Sequence, residues 1–297
     1  MLIFYVPNIV GALYAFLMTG VLVGALAQAG VIKNIHLHYQ KDPRYSFVSV
    51  LGLILFMLVT VGVGFAQLQR FNAQGHYYDH LVALNVNGNI RIATSEIEAA
   101  IAANPADLYY RALSQTQLVR INQLLQDQNV NEEDLRVEFQ RVAQEAIANA
   151  DIAVQRDPNN YLNWIVLAQA YESLIPFGLP EGYERAQAAY AEAQSLNPHS
   201  PAIPLALARV ELVRGNNDGA KTKIREALDM KSNYTAAIFL LSQIQANEGN
   251  LAQAIESAEI ATVVSPNDFG VYFQLGFLKY RAEDYQGAAQ ASAARSP

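Results

Sequence analysis

The stretch NWIVLAQAY, residues 163–171, holds Trp164, the single tryptophan of the 297-residue chain. Fifteen residues after Tyr171 come Ala186, then Tyr190, Ala193 and Pro198. Trp164, Leu167 and Tyr171 fall at i, i+3, i+7, which places three large side chains on one face of a helix. Ala168, Ala186 and Ala193 are small enough to let helix backbones approach closely. Pro198 cannot continue the helix that precedes it. The spacing is a packing code for two antiparallel helices and not a catalytic one.

The code recurs. Counting 34 residues on from Pro198 gives Ser232, and 34 more gives Pro266. Small residues keep phase within these intervals: Ala186 and Ala193, Ala220 and Ala227, Ala254 and Ala261. Gly215-Asn216 and Gly249-Asn250 mark one mid-repeat turn, and Gly88-Asn89 and Glu283-Asp284 occupy the equivalent place. Glycine suits that turn because it accepts a left-handed backbone. A fixed period shared by several features predicts an all-α solenoid of stacked helical hairpins.

Two intervals are longer than one period. Between Pro105 and Pro158 the extra residues, around 122–140, are helical in character, and Asn131-Glu132-Glu133-Asp134 reads as an N-cap with an acidic first turn. The pattern predicts one hairpin with longer helices. The second excess lies in SLIPFGLPEGYE, near 175–184, where Pro176, Gly178 and Pro180 predict an extended loop.

The first 69 residues differ in kind. Residues 1–32 carry no charge, and Pro7-Asn8 suggests a break that leaves about 9–30 as an apolar helix. A second uncharged run covers Phe47–Ala66. About 20 apolar residues cross the hydrocarbon core of a bilayer as a helix, so two transmembrane helices are expected in a membrane region over 1–69. The loop between them carries Lys33, Lys41 and Arg44, whereas Arg70 is the basic residue close after the second run. Basic residues concentrate in cytoplasmic loops, which puts everything beyond about residue 68 on the other side of the membrane. Gly20 and Gly24 form a GxxxG pair of the sort that packs membrane helices. His36 and His38 read as solvated loop residues.

Composition narrows the chemistry further. Cysteine is absent, which removes disulfides, thiolate metal sites and thiol nucleophiles. The net charge is −7, and the acidic excess lies in the repeat region without a basic stripe, which argues against nucleic acid. His76, His80 and His199 stand beside no nucleophile and orienting acid, and no phosphate-binding glycine loop is present. No catalytic residue, no metal ligand and no cofactor is expected, and the chain reads as a non-enzyme.

Trp164, Leu167, Ala168, Tyr171, Ala186, Tyr190, Ala193 and Pro198 together resemble the tetratricopeptide repeat (TPR) family, whose 34-residue unit has the pattern W-x2-L-G-x2-Y…A-x3-F…A…P. Later units match through Leu207, Ala208, Ala220, Ile224 and Ala227, then Leu241, Ser242, Ala254, Ala258 and Ala261, then Tyr272, Leu275, Gly276 and Ala288. Upstream, Ala93, Ile97, Ala100 and Pro105 match a second helix. The resemblance covers about 75–295 and implies a right-handed α-solenoid over 70–297, with five to six repeats of which the last is truncated. It also implies a concave groove for protein or peptide partners, lined by positions two, five, nine and twelve of each first helix. In this chain those include Leu162, Ile165 and Gln169; Leu205, Arg209 and Leu212; Phe239 and Gln243; and Phe273, Phe277 and Tyr280.

A membrane-anchored scaffold follows, with the repeats on the extracytoplasmic side of a bacterial inner membrane and the oligomeric state open. Both ends of the chain look cut, which gives a second expectation. The layout of spans followed by outward repeats resembles the C-terminal part of bacterial O-antigen ligase/polymerase-like membrane proteins with repeat tails. On that reading the catalytic spans lie upstream.

Overall fold

The computed structural model describes residues 9–31, 43–126, 131–175 and 180–293. Regular structure among them is entirely helical, in thirteen helices α1–α13. The chain divides into two compact units, residues 1–66 and 67–297.

In the first unit, α1 (Ile9–Gln28) is 20 residues long. Of its described side chains, Phe16–Gln28 form an apolar stretch shorter than a span. Helix α2 (Pro43–Asn85) has 43 residues and starts in this unit. It contains a window of mean hydropathy 2.5 that is wholly unburied, and it is the one described helix long and apolar enough to cross a membrane. Its large apolar side chains from Phe47 to Phe65, among them Leu53, Phe56, Leu58 and Val61, are exposed. At about 1.5 Å rise per residue, Phe47–Ala66 reaches about 30 Å, the thickness of the hydrocarbon core. Two spans were expected, and among the described residues one helix meets the length and composition of a span. Among the described residues, a Cβ at Gly20 or Gly24 would meet nothing within 4 Å. Lys33, His36, His38 and Lys41 lie outside the described residues.

The second unit is a stack of hairpins. The end of α2 pairs with α3 (Ile90–Ala103): His80 Nδ1 bonds the Ala93 carbonyl at 2.8 Å, and His76 Nδ1 lies 2.8 Å from Glu96. Then come α4 (Asp107–Gln126) with α5 (Glu132–Arg156), α6 (Tyr161–Glu172) with α7 (Pro180–Leu196), and α8 (Ala202–Val213) with α9 (Asn217–Met230). The last two are α10 (Thr235–Asn247) with α11 (Leu251–Val264) and α12 (Phe269–Arg281) with α13 (Tyr285–Ala293). Asn89, Asn131, Asn160, Asn216 and Asp268 each accept a backbone N–H at a helix start. Such caps satisfy donors that the helix itself leaves unpaired.

The mid-repeat turn is the same in four hairpins. Gly88, Gly215, Gly249 and Glu283 all take positive φ, between 62° and 84°. Glu283 therefore holds a left-handed conformation that disfavours a Cβ. The small residues of the repeat code are fully buried: Ala168, Ala208 and Ser242 on first helices, and Ala186, Ala220 and Ala254 on second helices, are all 0% exposed. Each following first helix inserts a ridge at i, i+4, i+7 against them. Ile203, Leu207 and Val210 pack with Leu167, Ala168, Ala189, Tyr190 and Ala193. Ala237, Leu241 and Ile244 do the same on Ala208, Ala220 and Ile224. Leu275 and Leu278 pack on Ala254 and Ala258, with Val271 on Ala261. Trp164 is half-buried beside the first of these seams, and its indole N–H donates to the Pro158 carbonyl at 2.8 Å.

Helix flanks both irregular intervals among the described residues. α4 and α5, with 20 and 25 residues, are longer than the 12 to 14 of α8–α11, and a separate cluster of Ile121, Phe139, Val142 and Ala143 fills the added length. Glu138 there pairs with both Arg120 and Arg141. The extended loop expected over 175–184 is corrected in its second half, because Pro180 opens α7. A proline at the first helical position loses no bond that the helix would have made. Residues 176–179 lie outside the described part.

A candidate protein-binding groove

The groove positions come together most clearly along α10 and α12. Ala236, Phe239 and Gly270, from positions two and five of one repeat and two of the next, share a cavity of about 550 Å³. Gln243, Ala246 and Phe277, from positions nine and twelve and then nine, share a second of about 340 Å³. Each cavity is thus built from like positions of successive first helices.

The first cavity also takes Lys231, Tyr234, Thr235 and Asp268, and the second takes Asn247, Gln274 and Arg281. None of these was singled out from sequence. Lys231 stands 5.4 Å from the centre of the Tyr234 ring, while Asp268 spends one oxygen on the Gly270 N–H. Lys231, Tyr234 and Asp268 belong to the interhelix turns, whose side chains the repeat pattern leaves unspecified. The two linings mix apolar side chains such as Phe239, Val271, Phe277 and Leu278 with amide, cationic and acidic ones such as Gln243, Gln274, Lys231, Arg281 and Asp268.

Further back in the stack the same positions are less uniform. Leu162, Gln169 and Arg209 are exposed, and Ile165 and Leu212 are half-buried against the core. Leu205 is a correction to the groove set. It is 2% exposed and packs with Ala208, Ala220 and Ala237, because small Ala237 lets α10 close over it. Phe239 packs in part against Ile238, Ala261 and Val271, yet still lines the larger cavity.

Arg209 adjoins a half-buried acid. Tyr190, itself 1% exposed, donates its hydroxyl to Glu172 Oε2 at 2.8 Å. Burial pushes the Glu172 carboxyl above the ordinary carboxylate range, against the opposing pull of the Tyr190 hydrogen bond and the Arg209 charge. Burial likewise raises the Tyr190 phenol. The Tyr190 bond and the nearby Arg209 charge both favour the ionised form of the acid, so desolvation is the stronger effect here.

Phe273, Phe277 and Tyr280 have a second aspect. With Gly276, Tyr285, Ala288, Ala289 and Ser292 they line a valley of about 430 Å³ between α12 and α13. Among the described residues, no group of three or more His, Asp or Glu is placed to hold a metal ion.

The class defined by these hairpins is an α-solenoid of tetratricopeptide type. The fold is similar to that of a thermophilic TPR protein from Thermus thermophilus, at 20% identity and a TM-score of 0.53, over 73% of this chain and 98% of that one. It is also similar to PilF of Pseudomonas aeruginosa, at 15% identity and a TM-score of 0.52, over 75% of this chain and 90% of that one. No protein-family model and no curated protein matches the chain.

Proposed function

We propose that this protein is a membrane-anchored scaffold that holds other proteins in the groove along its first helices, in a bacterial cell envelope. The observation that carries the binding role is the pair of cavities built from equivalent positions of α10 and α12. Anchoring is supported by the unburied apolar length of α2, with α1 as the second span. The proposed orientation, with the solenoid outside the cytoplasm, draws on Lys33, Lys41 and Arg44 between the two apolar segments.

Binding is tested with Gln243→Lys in the full chain, at a side chain that lines the second cavity. Proteins that co-purify with the wild type from source membranes should fall at least tenfold, with helicity unchanged. Equal recovery would remove these cavities from the binding role. The cysteine-free chain makes the side of the membrane directly readable. A single Asp229→Cys should react with an impermeant maleimide in intact cells, and labelling only after lysis would reverse the orientation.

A further inference from the structure

Three successive seams carry charge at one pair of equivalent positions, one on a second helix and one on the first helix that follows it. Between α11 and α12 the pair is Glu259 and Lys279, whose charges meet at 2.8 Å. Between α7 and α8, two periods earlier, it is Ala191 and Glu211. There the Glu211 carboxylate accepts from the Tyr183 hydroxyl and the Asn216 amide, both at 2.7 Å. Between α9 and α10 the pair is Arg225 and Gln245. Gln245 commits its carbonyl oxygen to the Ser257 hydroxyl at 2.8 Å, and among the described residues Arg225 enters no ion pair. Two seams satisfy their own charge, and the middle one leaves it open.

That open charge lines a cavity of about 310 Å³, to which α9, α10 and α11 all contribute. Its floor is apolar, with Ile224 fully buried and Leu228 and Leu241 half-buried. Arg225 and Gln253 are exposed at its edge. Lys221, also in the lining, is held by Glu248 at 2.6 Å, so these two charges offset each other and the charge left over is that of Arg225. The repeat pattern does not ask for cations here. Lys221 and Arg225 stand where α7 has Gln187 and Ala191 and where α11 has Ile255 and Glu259. The cavity shares no lining residue with the two cavities of the first-helix groove, and Asp229 lies outside it.

We infer that this cavity is a second docking site, for a partner protein that presents an acidic side chain beside an apolar one. The partner's carboxylate supplies at Arg225 what Glu259 supplies at Lys279 in the next seam. A guanidinium suits that role because its planar fork matches the two oxygens of a carboxylate. The Gln245 amide nitrogen, left over from the bond its oxygen makes to Ser257, and the Gln253 amide are further donors in the same lining. The apolar neighbour covers Leu228 and Leu241, which removes them from water. The site goes beyond the groove proposed above and lies on the second-helix side of the stack.

The test uses the full chain in nanodiscs and a short, capped, fluorescent peptide with one glutamate between two leucines in a glycine-serine background. Its twin carries glutamine in place of the glutamate. By fluorescence anisotropy the glutamate peptide should bind about tenfold tighter than its twin, the order expected of a hydrogen bond to a charged group. Arg225→Gln should erase that preference. Gln245→Glu places an acid inside the seam, as the next seam has, and should erase it too, with helicity unchanged. Glu259→Gln, at the seam already closed, should leave it as it is. Equal binding of the two peptides, or binding of neither, overturns the inference. A preference that survives Gln245→Glu also overturns it. Displacement of the peptide by an equal concentration of inorganic phosphate overturns it as well, and makes the cavity a site for small anions. The groove reading stands or falls separately, on Gln243→Lys.

Discussion

The hairpins α6–α7 and α12–α13 are built on one pattern and sit in different circumstances. In the first, Ala168, Ala186 and Tyr190 form a valley that α8 fills, and all three are at most 1% exposed. In the second, Gly276, Ala288 and Ser292 form the corresponding valley, rimmed by exposed rings. The comparison separates what a repeat does for its own hairpin from what it does for its neighbour. Small residues let the pair of helices close in both, but only a following ridge turns the outer surface into core. Stability is therefore concentrated at the seams.

The comparison breaks first at the seams. Leu207→Ala removes a side chain packed between α6–α7 and α8 and should cost about 2–5 kcal/mol, read from chemical denaturation of the full chain. Phe277→Ala, on the open face, should cost less than about 1 kcal/mol in the monomer. Equal losses would mean that the last hairpin is no looser than the first.

The turns sharpen the comparison at smaller scale. Gly249→Ala forces a Cβ into the left-handed region and should destabilise by about 1–2 kcal/mol. Glu283→Gly, at the same turn of the last hairpin, should act in reverse. Relief of the backbone outweighs the added flexibility of glycine by about 0.5–1 kcal/mol. A melting temperature that falls in both variants would show that Glu283 makes contacts which compensate for its backbone.

The smallest effect concerns pH. The folded Glu172 carboxyl is raised above 4.5 by burial, so the folded state holds its proton to higher pH than the unfolded chain does. Stability should accordingly fall as pH rises from the ordinary carboxylate range through the raised Glu172 value, and recover on acidification. Glu172→Gln keeps an acceptor for Tyr190 and should flatten this slope. An unchanged slope would assign it to other carboxylates.

Much of this arrangement was legible in the sequence because it depends on local geometry. The 34-residue phase located the small residues, and the alignment of Glu283-Asp284 with three Gly-Asn pairs located a turn that its own composition does not announce. Other features depend on neighbours that no single repeat encodes. Leu205 and Phe273 occupy the same repeat position, yet one is buried and the other open, because α10 closes over the first and no described helix covers the second. Pro180 read as a loop residue and serves as a helix start, since proline suits both and the flanking sequence does not distinguish them. The second aspect of Phe273, Phe277 and Tyr280 was hidden for a related reason. Repeat numbering assigns a residue to the groove, and does not say whether the adjoining seam is closed.

The most direct test of the scaffold is a photo-cross-linking scan in native membranes. A light-activated side chain is placed singly at Gln169, Arg209 and Gln243 along the first helices, and at Gln187 and Asp229 on the second helices. Discrete cross-linked partners from the first three positions, and none from the last two, are the result this account predicts. Partners from Gln187 and Asp229 with none from the first-helix positions would contradict it.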